Sequence, residues 1–480
     1  VAARGVSHER VVADGGCDSD RSTGGPAVAP GAGADARRCG CAGKTPLDRV
    51  VFPARDRVRD ALDGTSVRLG PATDAAILED ATGSDAVERT VDVVALGEDR
   101  PAVPFDGDGD SGPVVTLACA FVGDDFADPE RFGDALATAY AGLDGPAVTI
   151  GKGHAVQIPG LRGGLLWLEH LRPTDAGDST ERTAGQSTDG VLAANVDAVH
   201  AFPGLEPPEQ ARVAALNACN DVTAAGATAD RVVRPVIATP AGVDPPAPQV
   251  TDWYRAGLPA DATVLRASVL THGGDGWLLG ASVTAAGCVE PQEPPLPDDC
   301  AVLVTRPLGG LAAFALGTLD GDRGLRELGR DRLVRDTRPV AEALAACRPK
   351  PGESFDPARH VARVTDVSGE GIAGIGRLAA REGRSLRLER LPVYDAVAEA
   401  AADGWTIPDA TVETNGPFAA VATPSALGRV ADLLRDVSGA DPVRVGRLDR
   451  GDAPIVDATD GESARLVEAA ARWPPAGGSR

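Results

Sequence analysis

Along the chain, apolar and polar positions fall into two patterns. Short apolar runs bounded by Gly, Pro or Asp predict strands, and stretches with helical spacing, opened by Asp, Pro or Glu and closed by Gly, predict helices. Residues 1–38 follow neither period. Rich in Gly, Ala, Ser, Asp and Arg, they predict a mobile arm, with order beginning near Pro46. A short helix follows over 50–62, then 66–69 leads to a strand at 75–78. The character changes between 80 and 189. Strands are predicted at 90–96, 114–122, 147–150 and 164–168, with a helix over 129–140 that Asp128 can cap. Polar stretches at 107–111 and 174–189 flank this block. It reads as an inserted α/β lobe, a satellite at a sheet edge that supplies no metal ligand.

A regular block follows: strand 191–197, helix 208–225 closed by Gly226, and strands 231–238, 263–271 and 276–285. Residues 288–299 form a Pro-rich, acidic linker. The C-terminal part begins with strand 300–305 and a helix opened by Pro307–Gly310, which runs to Leu316 and stops at Gly317. Helices at 322–334, 339–347, 371–381, 394–402 and 425–437 alternate with strands at 385–391, 418–422 and 443–447. The class is α+β or α/β, without short repeats. The expected organisation is an arm (1–45), an N-terminal domain (46–80 with 190–290), the insertion (81–189), a C-terminal α/β domain (300–465) and a tail (466–480).

The 480 residues carry 70 acidic against 47 basic side chains, a net charge of −23. Such a surface repels phosphate backbones and anionic membranes, so neither nucleic acid nor membrane is an expected partner. Lysine occurs only at 44, 152 and 350, and aromatics are 4%. The pattern suits a protein adapted to high salt, where a hydrated acidic surface is screened. No transmembrane run or leader pattern is present, so the cytoplasm is expected. Eight scattered cysteines argue against a disulfide scaffold or a structural zinc site.

Several clusters could carry chemistry. Asp366 precedes a glycine-rich entry into a helix, Val-Ser-Gly-Glu-Gly371. That arrangement suits a phosphate–metal group, or is an ordinary helix cap. Asn217 and Asp221 share one helix face, as a site or as a solvated pair. Cys39 and Cys41 form the only tight thiol pair, or are two exposed thiols in a tail. Asp106-x-Asp108-x-Asp110 lacks the glycine and glutamate of a calcium loop and reads as an acidic loop. Gly151-Lys-Gly-His154 is too short for a phosphate loop and reads as a solvated turn.

In order, these pieces resemble the selenophosphate synthetase (selenide, water dikinase) family, within the wider aminoimidazole-ribonucleotide-synthetase-like ATP-binding fold. The resemblance rests on Cys41-Ala-Gly-Lys44-Thr-Pro46, Thr73-Asp74-Ala-Ala-Ile77, Asn195-Val-Asp197, Asn217-Ala-Cys-Asn-Asp221, the strand ending Thr305-Arg-Pro-Leu-Gly309, Thr365-Asp366-Val-Ser-Gly-Glu-Gly371 and Glu413-Thr-Asn-Gly416. It covers about 41–80 and 190–460, and the family's short connection in place of the insertion implies that Leu78 and Val191 lie on neighbouring strands. It implies a two-domain fold, a homodimer built by pairing N-terminal sheets, and ATP, selenide and Mg²⁺ as ligands. Cys41 and Lys44 would be catalytic. Lys44, Asp74, Asp197, Asn217, Asp221 and Asp366 would bind nucleotide, and Asp74, Asp221 and Asp366 would hold the metal. The chain departs from the family at Gly43, Thr73, Arg306, Pro417 and across the insertion. Two rivals follow from these departures: a same-fold enzyme acting on another small acceptor or on sulfur, and a non-catalytic member that binds nucleotide or a partner.

Overall fold

The computed structural model describes residues 29–31, 34–70, 75–78, 87–97, 114–143, 148–173, 191–287, 294–350, 353–402, 410–451 and 455–458. The fold is mixed α/β, as the alternation of elements predicts. In the first 290 residues the strands are β1 (Val67–Leu69), β2 (Ala76–Leu78), β3 (Val87–Leu96), β4 (Val114–Val122), β5 (Val148–Gln157), β6 (Gly164–Pro173), β7 (Val191–His200), β8 (Ala227–Pro240), β9 (Thr263–Val264), β10 (Ser268–His272) and β11 (Leu278–Gly287). The helices between them are α1 (Phe52–Ala61), α2 (Pro129–Ala141), α3 (Pro207–Ala224) and α4 (Ala247–Gly257). Sheet 1 has the order β10-β8-β11-β7-β2, with β9 beside β8. Sheet 2 has the order β1-β5-β4-β6-β3.

The C-terminal part contains β12 (Cys300–Val304), β13 (Arg363–Asp366), β14 (Arg384–Leu388), β15 (Phe418–Ala422), β16 (Val443–Arg450) and β17 (Ile455–Asp457). They form sheet 3, in the order β13-β15-β12-β16-β14-β17. Its helices are α5 (Gly310–Asp320), α6 (Arg323–Leu333), α7 (Arg338–Ala345), α8 (Ile372–Arg381), α9 (Asp395–Ala402) and α10 (Pro424–Leu434). Leu316, Ile375 and Val397 pack on one face of sheet 3. Leu344 and Leu427 pack on the other.

Local chemistry explains the elements. Asp128 caps α2 as expected, its carboxylate accepting from Glu130 N at 3.0 Å. The predicted stop at Gly317 is corrected: α5 continues to Asp320 and ends at Gly321, whose φ is 73°. Gly317 serves packing instead, because a Cβ there would meet Arg326 N of α6 at 2.2 Å. Helix α4 escapes the sequence pattern, since Pro248 suggests a break. The proline sits in the first turn, where its missing N–H costs nothing.

The insertion is attached as expected, with Leu78 paired antiparallel to Leu192. Its expected place as an edge satellite is overturned. Sheet 2 lies face to face on sheet 1: Leu117, Phe121, Leu165 and Trp167 share one core with Leu192, Val196, Val236 and Leu278. The other faces are covered by α1 and α2 on sheet 2 and by α3 and α4 on sheet 1. The arm is also corrected. Residues 1–28 lie outside the described residues, but Cys39 and Cys41 are buried in the core beside α3. Gly40 bridges His200 of β7, and Lys44 bridges Val156 of β5. Among the described residues, no helix is long and apolar enough to cross a membrane.

Candidate functional site

The arm brings its lysine to the acidic strand. Lys44 Nζ lies 2.8 Å from Asp197 Oδ2. It also approaches the glycine turn after β13: a Cβ on Gly369 would lie 3.6 Å from that nitrogen. The segment is fixed at several points. Gly40 N donates to His200 O at 2.9 Å, Thr45 N to Ala155 O at 3.3 Å, and Cys41 N to Thr414 Oγ1 at 3.0 Å. The His200 ring faces Gly43 O at 3.1 Å and is kept neutral by burial, its pKa lowered to about 4.

Asp197 is 4% exposed. Burial would raise its pKa, but the His154 ring and the Lys44 ammonium hold it well below the usual carboxylate range. His154 Nε2 lies 3.0 Å from Asp197 Oδ1 and 2.9 Å from Ala198 O, so this nitrogen faces two acceptors and carries the proton. Burial lowers the His154 pKa, so its link to Asp197 is a hydrogen bond from a neutral ring. Lys44 stays charged: Asp197 and the neighbouring groups outweigh its desolvation and raise its pKa.

On α3, Asp221 Oδ2 lies 3.5 Å from Lys152 Nζ. One turn earlier, Asn217 is fully buried, its Oδ1 3.8 Å from Cys41 Sγ and its Nδ2 without an acceptor among the described residues. Helix α3 also packs against β13, which ends at Asp366. Cys41, Lys44, Asp197, Asn217 and Asp221 are thus drawn together, and the Asp366 turn meets them through Gly369. Asp74 and the Asp106–Asp110 loop lie outside the described residues.

Sequence reasoning missed two residues. Lys152 and His154 are not in a solvated turn but on β5, in register with Leu117 and Cys119, whose side chains face sheet 1. The lobe therefore does supply side chains to the cluster. One signal was available: the chain has three lysines, and two of them meet here.

Four further residues have defined surroundings. Cys41 is 3% exposed, and burial pushes its thiol up to about 12, so it is protonated at neutral pH. Cys39 is fully buried, with Sγ 3.2 Å from Ala36 O. His272 is a buried strand-end residue whose Nδ1 accepts from Gly274 N at 3.2 Å. Glu413 is a helix-terminus ligand. Its carboxylate accepts from Gly309 N at 2.7 Å, Gly310 N at 2.8 Å and Leu311 N at 3.3 Å, filling the N-terminus of α5.

Of the implied Mg²⁺ ligands, Asp74 lies outside the described residues, Asp221 faces Lys152 and Asp366 ends β13. Among the described residues, no three His, Cys, Asp or Glu side chains come together to hold a metal. Asp197 and Asp221 each already face a lysine.

No protein-family model and no curated protein matches the chain. Among solved structures it is similar to a hydrogenase maturation protein HypE, at 14% identity over 56% of this chain and 85% of that one, with a TM-score of 0.45. A HypE in complex with ATP gives 15%, 59%, 85% and 0.43. Thiamine-monophosphate kinase from Stenotrophomonas maltophilia gives 17%, 61%, 88% and 0.40. At TM-scores below 0.5 these likenesses assign no activity.

Proposed function

We propose that this chain is an ATP-dependent phosphotransferase of the aminoimidazole-ribonucleotide-synthetase-like kind, with selenide as acceptor. ATP, selenide and water would give selenophosphate, AMP and phosphate. The observation that carries the reading is the place of Lys44. From the arm it reaches Asp197 on β7 and Gly369 in the turn that opens α8, joining three motifs far apart in sequence. A polyphosphate between that turn and the two lysines would meet the ammonium groups of Lys44 and Lys152. Asp197 and Asp221 hold those lysines in place, and the packed arm excludes water.

A second reading has its own support. Cys41 is a buried thiol rather than a thiolate, which favours an acceptor that needs no thiolate to handle it. Phosphorus NMR of the protein with ATP, Mg²⁺ and selenide at high salt separates the readings. Selenophosphate with AMP supports the first, ATP turnover without selenophosphate supports the second, and no turnover defeats both. Under the first reading, Cys41→Ser abolishes selenophosphate while ATP still binds, and Cys39→Ser does little.

A further inference from the structure

Sheet 2 has a gap in one edge. β1 pairs with β5 only as far as Ile150, and the arm rejoins β5 at Ala155 and Val156. Among the described residues, no strand covers that edge in between. A cavity of about 220 Å³ opens there, between α1, α2 and β5. Its walls are apolar and partly aromatic: Phe52, Leu69, Phe132, Leu136 and Tyr140. Its charged lining is mostly cationic, with Arg55, Lys152 and Arg381. The one acid there among the described residues, Glu370, is bonded to Arg377. In a chain of net charge −23 this is an unusual local sign.

Two further observations point to a ligand. The pKa of Arg55 is lowered chiefly by burial; Arg59 lowers it further, Asp56 raises it and Arg381 lowers it least, so the two cavity arginines, Arg55 and Arg381, lie close enough to repel. An anion between them would relieve that repulsion. Gly153 also lines the cavity, and a Cβ there would meet nothing within 4 Å.

We propose that this cavity binds a small aromatic anion, its ring between α1 and α2 and its anionic head against Lys152 and the arginines. This goes beyond the phosphotransferase reading and does not depend on it. Lys152 also touches Asp221, so the head would lie at the border of the lysine–aspartate cluster.

Calorimetric titration with phenyl phosphate, benzoate, inorganic phosphate and phenol tests it. Phenyl phosphate or benzoate is expected to bind at least tenfold more tightly than phosphate or phenol. Whichever of the two binds more tightly identifies the head group. Gly153→Phe, which fills the cavity, is expected to cut that binding at least tenfold. Arg381→Glu, an exposed change at the rim, is expected to weaken the anions about fivefold and leave phenol unchanged, and it keeps the test open should Gly153→Phe fail to fold. The proposal is overturned if neither aromatic anion binds saturably, or if both folded variants bind as the wild type does. ATP binding by equilibrium dialysis on the same samples keeps the two readings apart. A wild type that binds the aromatic anion but not ATP defeats the phosphotransferase alone, and one that binds ATP but neither aromatic anion defeats the pocket alone.

Discussion

Two buried acids near the arm, Asp197 and Glu413, are stabilised in opposite ways. Asp197 faces a lysine and an imidazole, and its pKa falls well below the usual range despite burial. Glu413 faces three backbone amides, with Arg306 nearby. Burial still raises its pKa to about 7, although Arg306 and the amides act in the other direction. Burial is common to both, so the partner decides. A full charge in direct contact offsets desolvation, whereas amide dipoles at one helix end offset it only in part. The first region can therefore serve as a charged site. The second is a joint, tying α5 to the loop that also receives Cys41 N and Asn220.

The largest break in this contrast is Lys44→Ala. It leaves Asp197 buried without its counter-charge, at an expected cost of about 3–5 kcal/mol in denaturant unfolding, together with loss of ATP turnover. The double variant Lys44→Met with Asp197→Asn should recover most of the stability and none of the turnover. Recovery of neither would show that the pair is not the source of the loss.

The next test uses pH. The folded protein holds the Glu413 proton more tightly than the unfolded chain does. That contribution is complete below about pH 4.5 and is lost as pH rises through about 7. It amounts to roughly 3 kcal/mol in full. Asp197 has the opposite sign: its contribution is present above the ordinary carboxylate range and is lost as pH falls. Thermal unfolding of Glu413→Gln at pH 5 and pH 8 should lack the decline shown by the wild type. An unchanged decline would place its origin elsewhere.

Lys152→Ala should have the smallest effect, about 1 kcal/mol. Its contact is longer, at 3.5 Å, and its side chain is 19% exposed. An unfolding loss as large as that of Lys44→Ala would erase the distinction between the two lysines.

Much of this was legible in the sequence because the signals were local. The Asp128 cap follows from a short pattern, and the pairing beside Leu78 and the grouping of Lys44 with Asp197 follow from the motif series that resembles a known family. What was hidden depended on distant neighbours. Gly151 falls where the register between β4 and β5 shifts, at Thr116 and Leu117, so Gly-Lys-Gly-His has the look of a polar turn while remaining strand. Gly317 resembles a helix stop because nothing local reveals that α6 presses against it. The covering of sheet 1 by sheet 2 was equally invisible, since alternation marks a face as apolar without saying what will cover it.

That covering has a consequence for mass action. Lys152 and His154 reach Asp221 and Asp197 from the same chain, so the encounter is intramolecular and no dissociation constant governs it. A cluster shared between two chains would come apart on dilution, and its stability would rise with protein concentration. Here both contacts form within a single molecule, and they should persist unchanged as the protein is diluted.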